Sequence, residues 1–230
     1  MRRFAATLFI LHTAGALAQS ALPEIRVEDR RDSPLNIDQR TDSASRLGLT
    51  ERETPATVEV VDQTTMRQRG FRTVSEAAQG MTGVTAGDHP AEPSAFSLRG
   101  FTNSQINILY DGIKIGPQNM TSRIMDTGNL ERIEVLKGPA SLVSGEGAAG
   151  GAVNFVTRKP HRGAVENEAW LSYGSNNTVR AGFGSGGSTS KDGLDYRFDL
   201  NRASSNGFIN DTASRNAQIS GAHRVVAAIG

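Results

Sequence analysis

The stretch Leu130-Glu131-Arg132-Ile133-Glu134-Val135-Leu136-Lys137-Gly138-Pro139-Ala140-Ser141 decides how this chain is read. Its first half, Leu130 to Leu136, is a β-prone run, and a second such run follows at Val153 to Thr157. Between them, Gly145-Glu146-Gly147-Ala148-Ala149-Gly150 matches G-x-G-x-x-G. A dinucleotide site needs a strand before that motif and a helix after it. Here the strand-like Gly151-Ala152-Val153-Asn154-Phe155-Val156 follows, so the motif is rejected as a nucleotide site. Its glycines suit a tight turn and close backbone approach instead.

Working toward the N-terminus, Ile106 to Tyr110 and Phe96 to Leu98 read as strands, with Asp111-Gly112 as a hairpin turn. Thr73-Val74-Ser75-Glu76 is a capping-box pattern that opens a helix closed near Gly80 or Gly83. Asp62 is placed to cap a shorter helix that Gly70 ends, with Arg67 and Arg69 suited to its C-terminal end. Thr57 to Val61 reads as a strand. Together, residues 55–160 predict a small α+β domain of single-core size.

After Pro160 the pattern changes. Leu194, Tyr196, Phe198 and Leu200 alternate with Asp195, Arg197, Asp199 and Asn201, and Val179, Ala181 and Phe183 alternate with Thr178, Arg180 and Gly182. Charged side chains at every second position do not suit a dry core. They suit a membrane barrel with lipid outside and a polar lumen, or equally a soluble sheet with one wet face. The Gly/Ser-rich Gly184 to Gly193 reads as a turn, and Val165 to Tyr173 and Ala213 to Gly221 as weaker strands.

The N-terminus carries an export signal: Arg2 and Arg3, an apolar Phe4 to Leu17, and the A-x-A site Ala16-Leu17-Ala18. Residues 1–18 are therefore expected to be a signal peptide. Residues 19–54 are polar and short of apolar anchors, which predicts a flexible segment. Within it, Glu24-Ile25-Arg26-Val27-Glu28 is extended-looking, and is either part of a disordered tail or a strand offered to a partner's sheet edge.

A formal net charge of +1 argues neither for a nucleic-acid binder nor for an acidic tail, and no nucleic-acid partner is expected. With no cysteine there is no disulfide or thiolate chemistry. His89, His161 and His223 are scattered, without a second ligand at metal-site spacing, and no nucleophile elbow or zinc-protease helix is present. Neither a metal site nor catalysis is expected.

Three ordered stretches resemble the plug domain of a TonB-dependent outer-membrane receptor. They are Arg99-Gly100-Phe101 followed by Ile108 to Gly112, the opening stretch Leu130 to Ser141, and Gly150 to Pro160, which ends Thr157-Arg158-Lys159-Pro160. The form of the last two is most like the siderophore-receptor branch. The resemblance implies an α+β plug followed by the first few antiparallel strands of an incomplete transmembrane β-barrel, and it favours the barrel over the soluble sheet. It implies uptake of a ferric siderophore, with TonB as energising partner, outer-membrane lipid around the wall, and no cofactor. Glu24 to Glu28 takes the place of the TonB box, although Arg26 and Glu28 depart from the usual small or β-branched residues. The short spacing from the cleavage site leaves no room for the signalling domain of the regulatory branch. Ligand contacts are implied for the apical loops Asp88 to Ser94 and Gly116 to Thr121, naming Asp88, His89, Gln118 and Asn119, with Arg99 near the first loop. Glu131, Arg132, Glu134, Lys137 and Arg158 are implied contacts between plug and barrel wall, with Lys159 alongside them.

Other readings stay open. Residues 161–230 have room for about four strands at roughly ten residues each, whereas a plugged barrel takes roughly 22. Open strand edges are not tolerated in hydrocarbon. The segment from His223 to Gly230 also drops the polar/apolar alternation. These features raise a truncated or frameshifted remnant as an alternative. His89 keeps a heme receptor in view, and a free periplasmic plug module is disfavoured by the strands that follow it.

Overall fold

The computed structural model describes residues 40–41, 49–50, 52–53, 56–89, 92–121, 123–139, 148–189 and 193–225. The chain divides into two compact units, Met1–Leu35 and Asn36–Gly230. The first lies outside the described residues, and with it the signal peptide and the candidate TonB box Glu24 to Glu28.

The opening stretch forms the centre of a five-stranded sheet. Strand β7 (Leu130–Lys137) pairs antiparallel with β1 (Thr57–Asp62) on one side and β8 (Gly151–Thr157) on the other. Beyond β8 come β5 (Ile106–Tyr110), parallel to it, and then β6 (Ile113–Pro117). The order is β1-β7-β8-β5-β6. Because strand side chains alternate between faces, Ile133, Val135, Val153 and Phe155 fall on one side. There they pack with Met66, Val74, Ala77 and Leu98 into the main core. Leu136, Ala152, Leu109 and Val58 form a smaller cluster on the other side.

Helix α1 (Gln63–Gln68) starts where expected: the Asp62 carboxylate accepts the Thr65 N–H at 2.7 Å. Helix α2 (Val74–Gln79) has the complete capping box, with Thr73 Oγ1 accepting from Glu76 N and Glu76 accepting from Thr73 N. A three-stranded sheet of β2 (Val84–His89), β3 (Glu92–Leu98) and β4 (Phe101–Thr102) follows, then a 3-10 turn η1 (Asn103–Gln105). Strand β2 has no counterpart in the sequence expectations; V-T-A-G-D-H carries too few β-formers to signal a strand. Strand β6 and the short α3 (Gln118–Thr121) were likewise unsignalled, and the segment 116–121, expected as a loop, is the end of β6 running into α3.

The third sheet is a meander of β9 (Glu166–Gly174), β10 (Thr178–Ser188), β11 (Leu194–Ser205) and β12 (Ser214–Val225), in order β12-β11-β10-β9. Asn176 and Asn177, both at positive φ, make the tight β9–β10 turn. Two expectations are corrected. Gly184 to Ser188 is strand rather than turn, paired in register with Asp195 to Asp199. The strand at the end of the chain also runs past Gly221, with Val225 opposite Leu194, so the loss of alternation after His223 does not end the pairing. Among the described residues no helix is long and apolar enough to cross a membrane.

Candidate functional site

The meander has two unlike faces. Leu171, Tyr173, Val179, Phe183, Phe198, Leu200 and Ile219 share one face and are exposed. Glu168, Trp170, Ser172, Arg180, Arg197, Asp199, Asn201, Asn216 and Gln218 share the other, which is turned toward the α+β domain. The polar face and the domain meet along a seam of named contacts.

Glu168 on β9 is the keystone of the seam. It accepts from Arg67 of α1 at 2.6 Å, from Arg197 of β11 at 2.9 Å, and from Arg158, which leaves β8. Arg158 also reaches Asp199 of β11 at 3.2 Å, and Arg197 grips the same carboxylate through Nε at 2.9 Å. Arg158 and Asp199 are buried, with side chains 8% and 3% exposed, so these contacts act in a medium that screens poorly. β10 makes room for them. A Cβ on Gly184 would stand 2.6 Å from Arg197 and 2.8 Å from Glu168, and one on Gly182 would stand 2.4 Å from Trp170.

Further up the seam, Arg180 of β10 donates to Asp126 at 2.8 Å and to the Arg72 carbonyl at 3.0 Å. Burial pushes the Asp126 carboxyl above its usual range, against the opposing pull of the Gly128 N–H and the Arg180 charge. Asn216 of β12 donates to the Ile124 carbonyl at 3.1 Å. A mainly apolar cavity of about 370 Å³ lies between α1 and β9–β10, lined by Met66, Phe71 and Trp170 among others.

Of the residues implied as wall contacts, Arg158 lies in this seam. The described partners of the others are internal. Arg132 donates to Glu134 at 2.7 Å and to Glu131 at 2.8 Å, Asn154 donates to Glu134 at 3.2 Å, and Lys137 pairs with Glu59 of β1. Glu134 is fully buried at the centre of the sheet, so its role here is to hold β7, β8 and, through Asn154, the Gly112 hairpin. Arg67, Arg180, Glu168, Asp199 and Asp126 carry the seam and were not singled out. Only their placement on the inward face distinguishes them, and Arg67 looked like a helix-end cation.

The implied ligand residues lie on the β2–β3 hairpin and on α3, with Arg99 apart from the hairpin tip. Asp88 accepts from Ser75 Oγ at 2.7 Å and from Ser94 N at 3.0 Å, which staples the β2–β3 hairpin to α2. His89 is exposed at that hairpin's tip. Arg99 is not beside it: with His89 opposite Glu92 and Val84 opposite Leu98, Arg99 follows the far end of the hairpin, roughly 20 Å away at about 3.4 Å per residue. There its N–H donates to the Gly83 carbonyl at 3.0 Å and its φ is +52°. Gln118 is buried and Asn119 exposed on α3. Among the described residues no group of three or more His, Cys, Asp or Glu could hold a metal ion.

Residues 50–152 match the TonB-dependent Receptor Plug Domain family. The chain is 32% identical over 142 residues to the ferripyoverdine receptor of Pseudomonas aeruginosa, which covers 58% of this chain and 17% of the relative. It is 31% identical over 189 residues to the ferrioxamine B receptor of Salmonella typhimurium, covering 80% of this chain and 27% of the relative. The chain thus spans about a quarter or less of the length of these relatives. Among solved structures, the pyoverdine outer-membrane receptor FpvA of Pseudomonas aeruginosa superposes with a TM-score of 0.69 at 26% identity, over 78% of this chain and 26% of that one. The alcaligin receptor FauA of Bordetella pertussis gives 0.68 at 24% identity, over 84% and 32%, a likeness of fold. Residues 50–152 therefore match the plug domain of TonB-dependent receptors, and the antiparallel strands after them fold as in the pyoverdine receptor structure.

Proposed function

We propose that this chain is the plug and adjoining wall of an outer-membrane receptor that takes up a ferric siderophore with energy delivered by TonB. The observation that carries the reading is the seam. A folded plug is tied by buried arginine–carboxylate contacts to strands whose opposite face is apolar and exposed, the division that a lipid-facing wall around a polar lumen requires. The ligands named for the relatives support a ferric chelate as cargo. Transport of this kind is positional work and needs no catalytic group.

In this reading the segment Glu24 to Glu28, exposed after removal of residues 1–18, adds as a strand to TonB through main-chain hydrogen bonds. The outer end of the plug, with Asp88, His89, Gln118 and Asn119, meets the chelate. Arg99 is not part of that group, since it lies at the opposite end of the β2–β3 hairpin. Force applied to the N-terminal segment reaches β1 and α1 first, and there Arg67, its side chain 54% exposed, is the outermost tie to Glu168. The buried Arg158 contacts hold longer.

The test is iron uptake by siderophore-deficient cells producing the receptor that contains this chain. Uptake of labelled ferric siderophore that disappears without TonB, and that Ile25→Pro abolishes, is expected. Uptake of hemin with no uptake of any ferric siderophore would contradict the proposal.

A further inference from the structure

The mainly apolar cavity of about 370 Å³ between α1 and β9–β10 has no part in the uptake reading. Its size is at the lower end of organic-ligand sites. Met66 and Phe71 line it from the plug, and Trp170 lines it from the wall. The Trp170 ring rests against β10 where Gly182 has no side chain; a Cβ there would meet the ring at 2.4 Å. On the plug side Arg67 and Arg72 also line the cavity and are exposed, so it opens to solvent there. Arg67 is paired with Glu168. Arg72 differs: its backbone N–H and carbonyl are engaged, but among the described residues its guanidinium has no ion-pair or hydrogen-bond partner. That guanidinium stands beside the end of β9, where a Cβ on Gly174 would lie 3.8 Å from its Nη1. Ser172 is the next residue on the same inward face and lines the cavity. Its hydroxyl has no described partner either, and the residue is only half-buried.

These features specify a complement. Two aromatic rings and a methionine favour a flat apolar body. At one end of them, an accessible guanidinium and a hydroxyl offer donors and positive charge. The planar fork of arginine matches a carboxylate. We infer that this cavity binds a small aromatic carboxylate, its ring against Phe71 and Trp170 and its carboxylate accepting from Arg72 and Ser172. Phe71 and Arg72 belong to the plug, and Trp170 and Ser172 to the wall. The bound acid therefore touches both bodies at once and adds a tie to the seam, beside Arg67–Glu168 and Arg180–Asp126. It slows the opening of that seam. The site is separate from Asp88, His89, Gln118 and Asn119, none of which lines it. The inference goes beyond the uptake reading and uses only the geometry of the seam, so it stands or falls independently of the cargo.

The experiment uses Trp170, the only tryptophan of the chain, as its reporter. The purified full chain in nonionic detergent micelles is titrated with 4-bromobenzoate, whose bromine quenches indole emission on contact. A parallel titration uses 4-bromobenzyl alcohol, which has the same ring and no charge. Saturable quenching by the acid is expected, with at least about tenfold weaker binding of the alcohol, the effect of one hydrogen bond to a charged group. Arg72→Met is expected to weaken the acid by a similar factor and to leave the alcohol unchanged, and Arg72→Lys to recover part of the loss. The Arg72 side chain has no described partner to lose, and unchanged hydrogen exchange in β7 checks that the variant is folded. In the wild type, saturating 4-bromobenzoate is expected to slow exchange in α1 and the 124–128 segment. Quenching that does not saturate, or that is equal for acid and alcohol, would overturn the inference. So would acid binding indifferent to Arg72→Met, or exchange in both segments unaffected by the acid.

Discussion

The plug sheet and the wall sheet both alternate charged and apolar residues, yet they put charge to opposite uses. In β7, Arg132 and Glu134 are turned into the domain and pair with each other, with Asn154 completing the set. In β9 to β11, Glu168, Asp199 and Arg180 are turned outward from their own sheet, toward another body, and are neutralised by groups from α1, the segment after β8, and the loop before β7. The first arrangement makes one sheet rigid. The second joins two sheets through side-chain contacts, and among the described residues no backbone ladder runs between them. A joint of that kind can in principle open without breaking either sheet's own ladder, as the proposed uptake requires.

The sharpest way to break this comparison is to remove the internal acid. Glu134→Ala leaves Arg132 buried without its main partner and is expected to destabilise the plug by about 3–5 kcal/mol. Hydrogen exchange along β7 and β8 measures this, because the only tryptophan, Trp170, sits in the wall and reports on the other sheet. Equal losses of protection in β10 and β11 would show that the two sheets are one cooperative unit. Crowding the wall is next in size. Gly182→Ala drives a methyl into the Trp170 ring and is expected to cost about 1–3 kcal/mol, with a red-shifted Trp170 emission and unchanged exchange in β7.

Glu168→Gln addresses the seam itself. With its side chain 31% exposed, Glu168 loses part of its pairing energy to solvent, so an effect of about 1–2 kcal/mol is expected. It should appear as faster exchange in α1 and the 124–128 segment while β7 is unaffected. The smallest effect belongs to Asp126. Its pKa is raised in the fold, so the folded state holds the proton more tightly than the unfolded chain does. Its ionised form therefore costs stability, and that cost disappears as pH falls through the raised value. Asp126→Asn is expected to be at least as stable as the wild type at pH 7. The gap closes on acidification, followed by thermal melts. A gap that widens as the pH drops would contradict the assignment.

Much of this was legible in the sequence because it is local or periodic. The Asp62 cap, the Thr73–Glu76 box and the alternation in β10 and β11 each depend on residues within a few positions of one another. The stretch Leu130 to Ser141 located the plug. Less visible were features set by what packs opposite. Gly184 to Ser188 resembles a turn by composition, but it is strand because the facing side chains of β9 and β11 need the room that glycine leaves. Strand β2 forms on the strength of its pairing with β3, not its own propensity. The charges of β7 and those of the wall look alike in the sequence. Which of them cross the seam depends on partners such as Glu59, 78 residues from Lys137, and Glu168, 101 residues from Arg67.

The central claim is that plug and wall are held together by this charged seam, and a double-mutant cycle on Arg158 and Glu168 tests it most directly. Arg158→Met, Glu168→Leu and the pair together are compared through the exchange rates of the 124–128 segment. The account predicts a coupling energy of about 1 kcal/mol or more, as for groups in direct contact. A coupling below about 0.3 kcal/mol, the additivity of independent sites, would contradict it.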